Sequence, residues 1–164
     1  MTAKRSVKMS DFIDWETMLD DSKTMRSSGS KIDQLSRMFL HSHMIASDSS
    51  GDYQGEDTVV ILFTPPIPDT DPKIIIISSY YGSCSGCDSW EDANDKNMKE
   101  ILESLANNAR LFDNFEDTIK YLESVTQAEQ YDLYPIKDKL LEQIRKAEGE
   151  LGGINHKKRS KRAK

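Results

Sequence analysis

Two stretches decide the fold: Thr58-Val-Val-Ile-Leu-Phe-Thr64 and Lys73-Ile-Ile-Ile-Ile-Ser-Ser-Tyr-Tyr81. Both are rich in β-branched and aromatic residues, which suit a pleated surface, and both read as strands. Neither alternates apolar with polar. A nearly continuous apolar run is what a strand carries when both faces of its sheet are covered, or when it lies at the sheet centre. The connection between them, Pro65-Pro66-Ile67-Pro68-Asp69-Thr70-Asp71-Pro72, holds no helix and is too short for a parallel crossover. The two strands are therefore expected to be antiparallel. Residues 45–50 supply a preceding strand, with 51–56 as its turn. The expected sheet is a three-stranded meander, with Arg110-Leu-Phe-Asp113 as a short fourth strand.

Helical periodicity surrounds these strands. Ser10 is the expected N-cap of a first helix, with Asp11 in its first turn and Phe12, Trp15 and Leu19 on one face. Ser27-Ser28-Gly29-Ser30 breaks the pattern. A second helix is expected from Ser30, striped by Ile32, Leu35 and Phe39 and ending within 41–44. A third covers 94–109 through Met98, Ile101, Leu102, Leu105 and Ala109. Asp113 or Asn114 caps a fourth, which carries Ile119 and Leu122. Pro135 suits the first turn of a last helix, whose inner face is Ile136, Leu140, Ile144 and Ala147 and which Gly152-Gly153 should stop. The fold class that follows is α+β, an antiparallel three- to four-stranded sheet with helices packed on it.

Size and charge bound the rest. At 164 residues the chain is close to one domain. Lys157, Lys158, Arg159, Lys161, Arg162 and Lys164 give residues 155–164 a charge of +6, and Lys4, Arg5 and Lys8 give residues 1–9 a charge of +3. Against a total of -6, the body 10–154 then stands at -15. The expected organisation is a disordered basic arm over 1–9, one acidic α+β domain over 10–153 and a disordered basic tail over 154–164. An acidic body argues against a body-wide nucleic-acid surface. The tail seeks polyanions, such as nucleic acid or an acidic surface, or simply solubilises the chain. No apolar run approaches the roughly 18 residues of a membrane span. No apolar segment follows the basic arm to make a secretory signal, so a reducing intracellular setting is expected.

The chemistry concentrates in Tyr80-Tyr-Gly-Ser-Cys-Ser-Gly-Cys-Asp-Ser-Trp90, between the most apolar strand and a helix. In a meander, the turn Gly51-Asp52-Tyr53-Gln54-Gly55 falls at the same end of the sheet as this loop. Asp52, Tyr53, Gln54, Cys84, Cys87 and Asp88 then form one candidate polar constellation. Three readings of the cysteines stand open. A Cys-x-x-Cys pair at a helix N-terminus has a lowered thiol pKa and suits thiol-redox chemistry, with Cys84 as nucleophile and Cys87 as resolving thiol. Zinc takes about four N or S ligands; Cys84 and Cys87 supply two, and His41 and His43 are candidates for the others, with Asp88 or a second subunit as further ligand sources. Those histidines share a face only on a strand, and the segment reads as helix. Lastly, free cysteines often simply pack in a core. Among 3 histidines no Ser/His/Asp arrangement can be assembled, and no P-loop, GxGxxG or H-E-x-x-H motif is present.

The pair Ser49-Ser-Gly-Asp-Tyr-Gln-Gly55 and Tyr81-Gly-Ser-Cys-Ser-Gly-Cys-Asp88 resembles a pattern in small uncharacterised proteins of bacteriophages and other viruses, where a D-Y-Q-G turn leads a strand and a Y-G-S-C-S-G-C-D loop ends the next but one. Leu111-Phe-Asp-Asn-Phe115 with Ile119 and Leu122 extends the resemblance, which covers roughly 45–123. Gly51 and the Pro-rich 65–72 loop depart from it. The resemblance implies a viral or phage accessory setting, in the host cytoplasm or nucleus or packaged in a virion, and supplies no reaction. The expected function is binding of another protein, viral or host, without catalysis, through an exposed apolar patch or a homo-oligomer. A thiol-redox protein or a small zinc protein is the alternative.

Overall fold

The computed structural model describes residues 8–25, 31–51, 54–67, 70–82, 90 and 93–162, with backbone alone for 21–25 and 152–162. Its centre is the expected meander. β1 (Ser42–Ser50), β2 (Gly55–Phe63), β3 (Lys73–Tyr81) and β4 (Arg110–Phe112) lie in the order β1-β2-β3-β4, every pair antiparallel. Alternate residues of a strand point to opposite faces, so each apolar run feeds two cores. Val59, Ile61, Phe63, Ile75 and Ile77 pack against α1 (Trp15–Met25), α2 (Ile32–Ser36) and α3 (Asp95–Asn108). Val60, Ile74 and Ile76 pack against α4 (Phe115–Ser124) and α5 (Lys137–Arg162). A three-layer sandwich results, which is why β2 and β3 carry no polar face.

The flanking helices follow their sequence signals where local chemistry suffices. Asn94 caps α3, its side-chain oxygen accepting the Asn97 N–H at 2.9 Å, and Met98, Leu102 and Ala106 form the buried stripe. Asn114 caps α4 in the same way through the Asp117 N–H at 2.8 Å. Pro135 sits in a 3-10 turn, Tyr134–Ile136, that leads directly into α5.

Four expectations are corrected. Ser10 lies inside a 3-10 turn, Met9–Phe12, and the cap of α1 is Asp14, whose carboxylate accepts both the N–H and the hydroxyl of Thr17. The second helix ends at Ser36 and does not reach Phe39. Its continuation is replaced by tertiary pairing: Ile13 bridges Phe39, the Met38 carbonyl accepts the Asp14 N–H, and the Phe12 and Phe39 rings both pack at a tilt against Phe63. β1 therefore starts at Ser42, earlier than expected, with His41 in a left-handed turn (φ 55°) and His43 on the strand. Finally, α5 runs through Gly152-Gly153 to Arg162. A helix-interior glycine costs about 1 kcal/mol but does not forbid the conformation, and cations in the last turns favour the helix dipole.

β1 is an outer strand, and two devices blunt it. The ladder slips between Met44 and Ala46, a bulge. The Gln143 side chain of α5 then behaves as a short piece of strand: its Oε1 accepts the Ser47 N–H at 3.1 Å and its Nε2 donates to the Ser47 carbonyl at 3.0 Å. Open strand edges invite pairing with other chains, and such blocks prevent it.

Candidate functional site

The register brings the β1–β2 turn and the end of β3 together, as the meander required. Gly55 pairs with Tyr81, and Glu56 with both Ser50 and Tyr80. Side chains tie the two: the Tyr81 hydroxyl lies 2.7 Å from the Gly51 carbonyl and 3.2 Å from that of Ser50, and the Tyr80 hydroxyl donates to Gln54 Oε1 at 3.4 Å. The turn demands glycine. Gly51 sits at φ +90°, and a Cβ on Gly55 would lie 1.5 Å from the Ser50 carbonyl oxygen.

Beneath this end, on the α1–α3 side, lies a buried polar knot. The Asp57 carboxylate accepts the Lys31 N–H at 2.5 Å and the Ser49 hydroxyl. Lys31 Nζ donates to the Tyr80 carbonyl at 2.8 Å and lies 5.4 Å from the centre of the Trp90 ring. Both Asp57 and Lys31 are almost wholly buried. The knot ties α2 to the end of β3 from below.

On the opposite side a cleft of about 470 Å³ opens between the β1–β2 turn, Tyr80 and the α4–α5 connection. Gln54, Tyr80, Gln127, Tyr131, Asp132 and Pro135 shape it. Tyr80 and Tyr131 are 48% and 71% exposed, large apolar rings left in water beside a concavity. Glu56 lies deeper. Burial, and then the Asp132 carboxylate, hold its pKa above the ordinary range. A second depression of about 430 Å³ lies between Tyr80, Trp90 and the Glu100–Ile101 turn of α3, so Tyr80 is a wall shared by two concavities. Next to Glu56, the Tyr121 phenol is pushed up by burial, against the opposing pull of Arg110, which stacks on its ring, and of a hydrogen bond to Gln130.

Of the residues expected to form a constellation, Gln54 stands in this cleft. Asp52, Tyr53, Cys84, Cys87 and Asp88 lie outside the described residues, as does Lys164. The backbone of Lys157, Lys158, Arg159, Lys161 and Arg162 is on α5. His43 pairs with Leu62, which pairs with Ile74, whereas the Cys loop leaves from Tyr81. Seven strand residues, about 23 Å, thus separate the exposed His41/His43 end of the sheet from the start of that loop. Among the described residues no three His, Cys, Asp or Glu side chains are grouped to hold a metal ion. The next described helix after β3, α3, begins at Asp95 and its N-terminus is capped by Asn94.

Tyr131, Asp132 and Gln127 have no signal in sequence. They belong to a connection that meets the β1–β2 turn only through the packing of α4 and α5, and a lone tyrosine in a polar loop carries no address. Lys31 and Asp57 are equally silent, 26 residues apart.

Fold and site define an α+β domain whose four-stranded antiparallel meander is covered by helices on both faces, with a tyrosine-walled cleft bearing the Asp132 carboxylate at one end of the sheet. No protein-family model, curated protein or solved structure matches the chain. Among the described residues no helix is long and apolar enough to cross a membrane.

Proposed function

We propose that the protein works by binding another protein, without catalysis, and that the cleft between the β1–β2 turn and the α4–α5 connection is the binding surface. The observation that carries this reading is the exposure of Tyr80 and Tyr131 on the walls of one concavity that Gln54, Gln127 and Asp132 also line. Tyrosine offers a large rigid contact area with a polar tip, and such residues dominate the energetics of protein interfaces. The buried knot beneath Tyr80 supports the reading from below, since a binding wall held by its own backbone carbonyl loses little order on association. The D-Y-Q-G turn and the Y-G-S-C-S-G-C-D loop support a viral or phage accessory setting for this activity, in the infected cell or in the virion.

Selection of displayed peptides on the immobilised protein tests the proposal. A sequence consensus should emerge whose members bind the wild-type chain and bind Tyr131→Ala at least about tenfold more weakly. Enrichment of nothing, or of peptides indifferent to both Tyr131→Ala and Tyr80→Ala, would exclude the cleft as a protein-binding surface.

A further inference from the structure

Helix α5 starts beside the cleft and carries the most basic part of the chain away from it. Pro135 lines the cleft and α5 begins at Lys137. The helix runs along β1, pinned by Gln143 to Ser47 and by Lys139 to Asp48 at 3.4 Å. Its last buried described side chain is Ile144, after which no described residue enters the core. The helix nevertheless continues to Arg162. At 1.5 Å per residue, residue 157 lies about 30 Å along the axis from Lys137. Residues 157–162, which carry five of the six cations, cannot return to their own cleft while α5 is helical. The body that holds the cleft is strongly acidic, and the cleft itself presents the Asp132 carboxylate together with two exposed phenol rings, Tyr80 and Tyr131. Rings and carboxylates together are what Lys and Arg side chains bind, by cation–π contact and charge-assisted hydrogen bonds.

We infer that the cleft receives the basic segment 157–164 of a second copy of this chain. The inference rests on the protein-binding reading above and names its partner. Such a contact is heterologous: one copy offers cleft, the next offers segment, and each retains one unused surface. Association is therefore open-ended unless a ring closes, and it weakens with salt because most of its charge is exposed.

The test is sedimentation of the full chain over a concentration series, at low salt and again near 0.5 M. The weight-average mass should rise with concentration at low salt and fall back to that of a monomer at high salt. Tyr131→Ala, a change at a largely exposed ring that leaves the core intact, should weaken association about tenfold or more. A triple variant, Lys157→Glu with Lys158→Glu and Arg159→Glu, should do the same. Mixing the two variants is decisive. The Tyr131→Ala copy keeps its segment and the triple variant keeps its cleft, so the mixture should give one-to-one dimers that grow no further. A monomer at every concentration, or association that survives both variants, overturns the inference. If selected peptides still bind the cleft while the chain stays monomeric, the second-copy inference falls and the protein-binding reading stands. If neither binds, both fall.

Discussion

Replacing Asp57 by alanine removes the acceptor at the centre of the buried knot, and its cost can be worked from the contacts. Asp57 is 1% exposed and takes two hydrogen bonds, from the Lys31 N–H and the Ser49 hydroxyl. Hydrogen bonds to a charged group are worth about 1.5–3 kcal/mol each, and a buried donor left without an acceptor costs about 1–3 kcal/mol. The Ser49 hydroxyl can rotate to a new partner, but the Lys31 N–H is fixed by the backbone that leads into α2. The expected loss is about 3–5 kcal/mol, the range for breaking a buried charged network. That is a large fraction of the roughly 5–15 kcal/mol that holds a domain folded. At about 2–4 °C per kcal/mol for a chain of this size, the melting temperature should fall by about 6–20 °C. Asp57→Asn keeps one oxygen for the Lys31 N–H and should lose less than half as much. Urea titration followed by circular dichroism measures the total. Amide exchange adds the location: the Leu35 N–H, bonded to the Lys31 carbonyl at 2.9 Å, should lose protection first. An Asp57→Ala chain within about 0.5 kcal/mol of wild type, the scatter of ordinary surface changes, would refute the view that this carboxylate anchors α2 to the sheet.

Other consequences are simpler to state. Gln143→Ala removes two hydrogen bonds to the Ser47 backbone and should cost about 1–2 kcal/mol. It also uncovers the β1 edge, so light scattering of the variant should grow with concentration even at high salt. Glu56 binds its proton more tightly folded than unfolded, so it costs stability as pH rises from the ordinary carboxylate range through its raised pKa, and the penalty persists above. Glu56→Gln should accordingly be more stable than wild type near neutral pH in thermal melts, with the gain vanishing in acid. Asn114→Ala removes the cap of α4 and should cost about 1 kcal/mol in denaturant titration, with Asn114→Ser recovering most of it.

The legible parts of this fold are those in which neighbours in sequence decide the outcome. Asn94 and Asn114 cap their helices with N–H groups three residues away, and the 65–72 connection forces an antiparallel turn whatever else the chain does. The doubly covered sheet was readable as well, because Ile74 to Ile77 leave no polar side to face water. The parts that were not legible depend on distant partners. Leu35 and Phe39 stand at helical spacing, yet Phe39 pairs with Ile13 because Phe63 offers both rings one surface. His43 joined β1 for the same reason, once the helix before it had ended.

The site divides along the same line, and the division bears on where its function resides. The sequence points to the Tyr80–Trp90 loop and the Gly51–Gly55 turn, and strand register alone joins Tyr80, Tyr81, Gly51 and Gln54 at one end of the sheet. The other wall comes from a connection that no pattern marks, placed there by Leu133 and Ile136 sinking into the second core. Tyr131 and Asp132 lie immediately before Leu133, so the residues that anchor the loop also aim its tyrosine and its carboxylate at the cleft. Core packing and site geometry are therefore coupled: a change that loosens Leu133 should weaken binding without touching any group that meets the partner, whereas Tyr131→Ala should weaken binding and leave stability alone.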